Sequence, residues 1–243
     1  DVAVSIEYTL KPGENPNKVV VYHVDDSGNV KAVVNGRYNP ETGRVEFALK
    51  EMGMYTAVYN DVTFSDTSSV QWANEAIEYL AARGVISGPG DGTFRPNDKV
   101  TRAEFIKMLM MALELVDEEA VCTFSDVKEG AWYYKSIAAA EKLGIVNGKG
   151  DGTFGVNDEI LRQDMAAMIY RAAQLLGVDM GDDAIVAPFT DEAEISGYAK
   201  EAVAAMQKAG IINGIGDGSF APKNNATRAE AAVIIYRLLS KIQ

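Results

Sequence analysis

A glycine-rich turn followed by a helix start occurs three times in this chain. It reads Gly90-Asp-Gly-Thr-Phe94 before Thr101-Arg-Ala-Glu104, Gly150-Asp-Gly-Thr-Phe154 before Leu161-Arg-Gln-Asp164, and Gly216-Asp-Gly-Ser-Phe220 before Thr227-Arg-Ala-Glu230. A unit that recurs at a near-constant period is one supersecondary element that buries its core against its copies. The arginines Arg102, Arg162 and Arg228 stand 60 and 66 residues apart. Each copy opens with Phe-Ser/Thr-Asp (Phe64 to Asp66, Phe124 to Asp126, Phe189 to Asp191), followed by an aromatic: Trp72, Trp132 and Tyr198. The extra residues before the third copy fall around 178–188, where Gly, Asp and Pro predict a longer surface loop. The copies are therefore 61–120, 121–186 and 187–243, with a different domain at 1–60.

Residues 1–60 hold short runs rich in Val, Ile, Tyr and Thr, at 3–10, 18–24, 30–34, 44–49 and 54–59, separated by clusters such as Asp25-Asp-Ser-Gly28. That pattern predicts a small antiparallel β unit. Its lone His23 lies on an apolar strand and reads as a structural histidine. The chain opens at Asp1 inside strand-like sequence, which predicts a fragment or processed product of something longer.

Each copy is predicted to hold two helices. The first spans about 69–83, with Trp72, Ala76, Ile77 and Leu80 at helical spacing and Gly84 just past its end. The second runs from Thr101 to about Leu115. The expected fold is mainly α, three tandem helix-loop-helix repeats after the small β unit.

The net charge is −12, shared between 1–60 (6 basic, 8 acidic) and 61–243 (17 basic, 27 acidic). With no basic stripe to displace counterions, nucleic acid is not an expected partner. The only cysteine, Cys122, has no internal partner, so packing must hold the fold. No apolar run approaches the roughly 18 residues of a spanning helix, so membrane insertion is not expected. The single histidine leaves no Ser/His or Cys/His set. Repeated acids such as Asp91 and Glu104 do not make a glycosidase pair, because catalysis requires one asymmetric site. No catalytic residue, cofactor or metal is assigned, and the chain is read as non-catalytic.

Thr101 with Glu104, and Thr227 with Glu230, form the pattern of a capping box. The arginine between them opposes the helix macrodipole, which favours acids in the first turn by roughly 0.3–1 kcal/mol. Two explanations stand side by side. First-turn amides and a guanidinium fork suit a carboxylate or phosphate, or each arginine bridges to an acid of the neighbouring copy. Asp91-Gly92, Asp151-Gly152 and Asp217-Gly218 read as turn chemistry before calcium, since the ligand ladder of a helix-loop-helix calcium site is missing. Gly88, Gly148 and Gly214 either admit a ligand close to the backbone or complete a tight reversal. The repeated aromatic reads first as core and second as the wall of a sugar pocket.

Together these motifs, with Pro96 and Pro222 after the turns, closely resemble the S-layer homology repeat of bacterial cell-surface proteins. The resemblance covers about 61–243, and the segment ending in Gly53-Met-Tyr-Thr-Ala-Val58 looks like the small unit that often precedes such triplets. It implies a secreted, non-catalytic anchoring module of the cell wall or S-layer, whose repeats form a pseudo-threefold bundle. Grooves between the repeats would bind secondary cell-wall polysaccharide linked to peptidoglycan, through a pyruvylated N-acetylmannosamine. Lattice neighbours met through regions outside this sequence would be further partners. The implied ligand contacts are Arg102, Arg162 and Arg228, with Trp72, Trp132, Tyr198, Gly88, Gly148, Gly214, Thr101, Thr227, Glu104 and Glu230 shaping the grooves. A calcium-dependent protein–protein module is the alternative. Leu161, which cannot cap, Gly155 and Tyr198 depart from the pattern and predict unequal grooves, with the one around Arg162 least suited to bind.

Overall fold

The computed structural model describes residues 2–181 and 185–242. The chain divides into two compact units, residues 1–96 and 97–243. Among the described residues the first unit carries six strands: β1 (Val2–Glu7), β2 (Val19–Val24), β3 (Val30–Val33), β4 (Arg37–Asn39), β5 (Arg44–Leu49) and β6 (Met54–Tyr59). They form two antiparallel sheets, ordered β1-β5-β4 and β3-β2-β6. Alternation turns Val19 and Val21 of β2 inward with Val33, Val45 and Phe47, and Tyr55, Ala57 and Tyr59 pack against that cluster. Strand β4 lies outside the five expected runs.

Helix α1 (Asn74–Ala82) follows a 3-10 segment, Thr67–Ala73. Within this unit the Tyr79 hydroxyl donates to the Val34 carbonyl at 2.7 Å. Arg83, just past the helix, sends its guanidinium to the carbonyls of Asn17, Val19, Gly36 and Tyr79 and lies 3.5 Å from the Tyr79 ring centroid.

The second unit holds α2 (Arg102–Ala112), α3 (Tyr134–Lys142), α4 (Arg162–Leu175), α5 (Lys200–Lys208) and α6 (Arg228–Leu239). Helix α2 packs on α3, α4 on α5, and α6 on both α2 and α4. Between the turns and the helix starts run short extended segments whose hydrogen bonds close a ring. The Val100 amide donates to Ala226, Ala226 to Ile160 and Ile160 to Val100, at 2.9–3.1 Å.

The mainly α expectation is corrected: the described chain is 34% helical and 16% strand, with two small antiparallel sheets, and the structure does not show a pseudo-threefold helical bundle. Each copy yields two helices of only 9–14 residues. Extended segments carry part of the join between copies, and the copies' opening segments are partly 3-10. Of the loop expected at 178–188, residues 182–184 lie outside the described residues.

Candidate functional site

The aspartate of each Phe-Ser/Thr-Asp opening fixes the turn of its own copy. Asp66 accepts from the amides of Phe94 and Arg95 at 2.8 Å. Asp126 accepts from Phe154, Gly155 and Val156, and Asp191 from Phe220 and Ala221. The opening phenylalanine packs on the turn phenylalanine at ring-centroid distances of 5.3–5.8 Å. These aspartates were not among the expected site residues, although their recurrence beside the phenylalanine was visible in the sequence. Arg95 and Ala221 follow the turn phenylalanine at φ 59° and 56°, whereas Gly155 takes φ 81° there without a Cβ penalty. What reads in the sequence as a departure is thus conformational relief.

Burial opposes the Asp126 charge, but the backbone N–H groups of Phe154, Val156 and Gly155 outweigh it and hold its carboxyl below the ordinary carboxylate range. A carboxyl depressed on folding stabilises above the unfolded value of about 4 and loses that contribution as pH falls through the folded value. Asp126→Asn is therefore expected to melt lower than the parent at neutral pH and to lose less on acidification. Parallel melting curves for the two forms from pH 7 to 3 would refute the linkage.

Gly88, Gly148 and Gly214 answer to the same turn. A Cβ on Gly88 would lie 1.8 Å from the Thr93 carbonyl oxygen, and one on Gly214 would lie 2.4 Å from that of Ser219. Close approach of the two arms of the turn already requires glycine. Asp91, Asp151 and Asp217 each accept from the amide and hydroxyl two residues on, which is turn chemistry.

The arginines face the following copy. Arg102 donates through Nε to the Phe154 carbonyl at 2.8 Å and through Nη1 to Asp164 Oδ2 at 3.0 Å. Arg162 repeats this with Phe220 at 2.8 Å and Glu230 at 2.5 Å, and adds the Asn213 carbonyl at 3.2 Å. Arg228 Nη1 lies 4.0 Å from Glu104, which closes the cycle. Arg102 and Arg162 are 7% and 4% exposed. The first-turn amides are bonded as well: those of Arg102, Arg162 and Arg228 donate to the carbonyls of Asp158, Asn224 and Asp98 at 2.9 Å. Bridging to the neighbouring copy is therefore what offsets the unfavourable macrodipole placement of the arginine.

Thr101 and Thr227 complete capping boxes with Glu104 and Glu230, so each of these glutamates serves cap and arginine together. Leu161 supplies no cap, and Asp164 pairs with Arg102 instead.

The aromatic positions are exposed, by 60% at Trp72, 56% at Trp132 and 58% at Tyr198, which overturns their first reading as core. All three lie in 3-10 or turn segments before their helices, out of phase with the buried α-helical stripe. His23 is buried, stacked on Tyr55, and its Nε2 lies 3.3 Å from the Met52 carbonyl oxygen. Burial pushes the Cys122 thiol up to about 11, which disfavours the reactive thiolate. Among the described residues no cluster of His, Cys, Asp and Glu suits a metal ion, and no helix is long and apolar enough to cross a membrane.

Three tandem copies that interlock arginine to acid, and each present an aromatic to solvent, define a repeat-built module rather than a single pocket. The S-layer homology domain model matches residues 63–106, 123–166 and 188–232, and the chain belongs to that family. It is 39% identical over 238 residues to an amylopullulanase of Thermoanaerobacterium thermosulfurigenes, covering 98% of this chain and 13% of that protein. It is 40% identical over 223 residues to exoglucanase XynX of Acetivibrio thermocellus (91% and 20%), and 35% identical over 176 residues to the S-layer protein sap of Bacillus anthracis (72% and 21%). The chain thus spans at most about a fifth of the length of these relatives. Its family and its S-layer relatives make it a cell-wall-anchoring module associated with the cell surface.

Proposed function

We propose that the chain binds secondary cell-wall polysaccharide linked to peptidoglycan, through a pyruvylated N-acetylmannosamine, and does no chemistry itself. A secreted parent would be held on the wall in this way, and S-layer lattice contacts would fall to regions outside this sequence. The observation that carries the reading is the exposed aromatic at the same place in each copy. Trp72, Trp132 and Tyr198 offer flat faces for a sugar ring to stack on. Arg102, Arg162 and Arg228, with Thr101, Thr227, Glu104, Glu230 and the glycines 88, 148 and 214, hold the groove walls. Among the described residues the Nη2 of Arg102 has no hydrogen-bond partner, which leaves its guanidinium one donor for an anionic group beside these walls. Recognition of an anionic polymer by a chain of net charge −12 rests on such local complementarity.

Co-sedimentation with purified, polysaccharide-bearing walls tests this reading. The parent chain is expected to pellet, and the double variant Trp72→Ala, Trp132→Ala to pellet far less while keeping its melting temperature. Walls stripped of pyruvate should retain neither form. Equal pelleting of parent and variant would remove the aromatic-wall mechanism, and loss of binding with a chelator would favour the calcium-dependent alternative.

A further inference from the structure

We propose that the two crevices within residues 97–243 do different work. The one between α2 and α3 accepts an acidic saccharide through Lys107 and Trp132, while its counterpart between α4 and α5 is closed by a latch of Gln163, Asp164, Tyr198 and Lys223. The inference rests on the wall-anchoring reading and assigns it to particular crevices.

Helices α2 and α4 hold the same place in successive copies. Positions 103 and 107 of α2 lie one turn apart on one face, as do 163 and 167 of α4. In α2 they are Ala103 and Lys107; in α4 they are Gln163 and Ala167. Lys107 Nζ stands 5.1 Å from the centroid of the Trp132 ring. Among the described residues neither its ammonium nor the Trp132 indole N–H has a hydrogen-bond or ion-pair partner in the protein. Three ammonium donors and one indole donor beside an open aromatic face match a sugar that carries an anionic group.

The counterpart crevice keeps no such groups in reserve. Gln163 is 2% exposed, and its amide is bonded at both ends. Its Nε2 donates to the Tyr198 hydroxyl at 2.9 Å, and its Oε1 accepts from the Ser196 amide at 3.1 Å and from Lys223 Nζ at 3.3 Å. The Tyr198 hydroxyl donates to Asp164 Oδ1, while Asp164 Oδ2 takes Arg102 at 3.0 Å. Lys223 also donates to Ser196 Oγ at 2.5 Å.

These four residues are departures from the other copies that meet at one point. Gln163 replaces the alanine of positions 103 and 229, Asp164 the glutamate of 104 and 230, Tyr198 a tryptophan without a hydroxyl, and Lys223 the asparagine of 97 and 157. A ligand entering this crevice must break bonds to a buried amide that it cannot replace in full. The ring of Tyr198 stays exposed, but its polar edge is committed.

The test uses the full chain and the pyruvylated N-acetylmannosamine monosaccharide as probe, followed by hydrogen exchange, amide chemical shifts and titration calorimetry. In the unmodified chain, protection and shifts are expected around Lys107 and Trp132 and not around Ser196 to Tyr198. Lys107→Met should weaken this site by about tenfold. Gln163→Ala with Tyr198→Phe should add one binding site per chain. Tyr198→Trp with Gln163→Ala, Asp164→Glu and Ala167→Lys, which carries the residues of the open corner at these positions, serves as a second opened form. Perturbation at Tyr198 in the unmodified chain, or unchanged stoichiometry in a folded opened form, overturns the latch while leaving the anchoring reading intact. Unchanged affinity in Lys107→Met overturns the assignment of the open crevice. Failure of the unmodified chain to bind overturns the anchoring reading, and the latch with it.

Discussion

Arg162→Ala is expected to cost the fold about 3–5 kcal/mol, the range found when one partner of a buried ion pair is removed. The guanidinium is almost wholly enclosed and satisfies three acceptors on the third copy: the Phe220 carbonyl, Glu230 and the Asn213 carbonyl. It also stacks on Phe220, 5.0 Å from the ring centroid. Deleting it leaves two carbonyls and a half-shielded carboxylate without that donor, beside a cavity the size of the lost side chain. Burial lowers the Arg162 pKa, yet arginine stays protonated at any working pH, so the pair cannot relieve itself by neutralising. Arg162→Lys should recover only part of the loss, because a single ammonium cannot span three divergent acceptors. Urea denaturation would read the effect directly, and the melting temperature should fall by about 10 °C for a domain of this size. A loss below about 1 kcal/mol would match a solvent-facing charge pair and return Arg162 to the role of a free anion receptor. Loss of wall binding in arginine variants is for this reason ambiguous, and the aromatic and Lys107 variants are the cleaner probes.

Arg83→Ala is the second large effect, expected at about 3 kcal/mol or more, because it strips buried carbonyls of a charged donor. Arg83 is 5% exposed and ties the end of α1 to Asn17, Val19 and Gly36 of the β unit. Carbonyl oxygens and the Tyr79 ring face share its charge. The variant should lose the near-ultraviolet signal of the tyrosines in residues 1–96 at a lower urea concentration than the parent. Coincident transitions would show that α1 is held on the sheets by apolar packing alone. The equivalent positions in the later copies are Leu143 and Ala209, so this contact has no echo in the repeat.

The two arginines mark where the sequence was legible. Capping boxes at Thr101 and Thr227, glycines in the turns and five of six strands could be read directly, because each depends on residues a few positions apart. Strand β4 escaped because its three residues, Arg37 to Asn39, are short and polar. The helical share was overestimated because Thr67–Ala73 coils as 3-10, which also moved Trp72 off the buried stripe. The candidate site was half legible. Recurrence pointed at arginine, aromatic and glycine, and left open whether the glycines admit a ligand or complete a tight reversal, which the close carbonyls of Thr93 and Ser219 explain. Lys107 and Lys223 fall at positions outside the repeated motifs, while Gln163 and Asp164 lie in the altered tetrad, where the change was visible but its partners were not.

The sequence by itself determined the period, the copy number, the caps and the family, since all of these are written in local spacing and in recurrence. Only the tertiary structure decided what each arginine faces, which aromatic has its polar edge tied, and that Gly155 takes a positive φ which its counterparts hold with a side chain. The physical reason is distance along the chain. Arg162 and Glu230 are separated by 68 residues and Gln163 and Tyr198 by 35, and nothing in local propensity encodes a hydrogen bond that forms only when two copies pack.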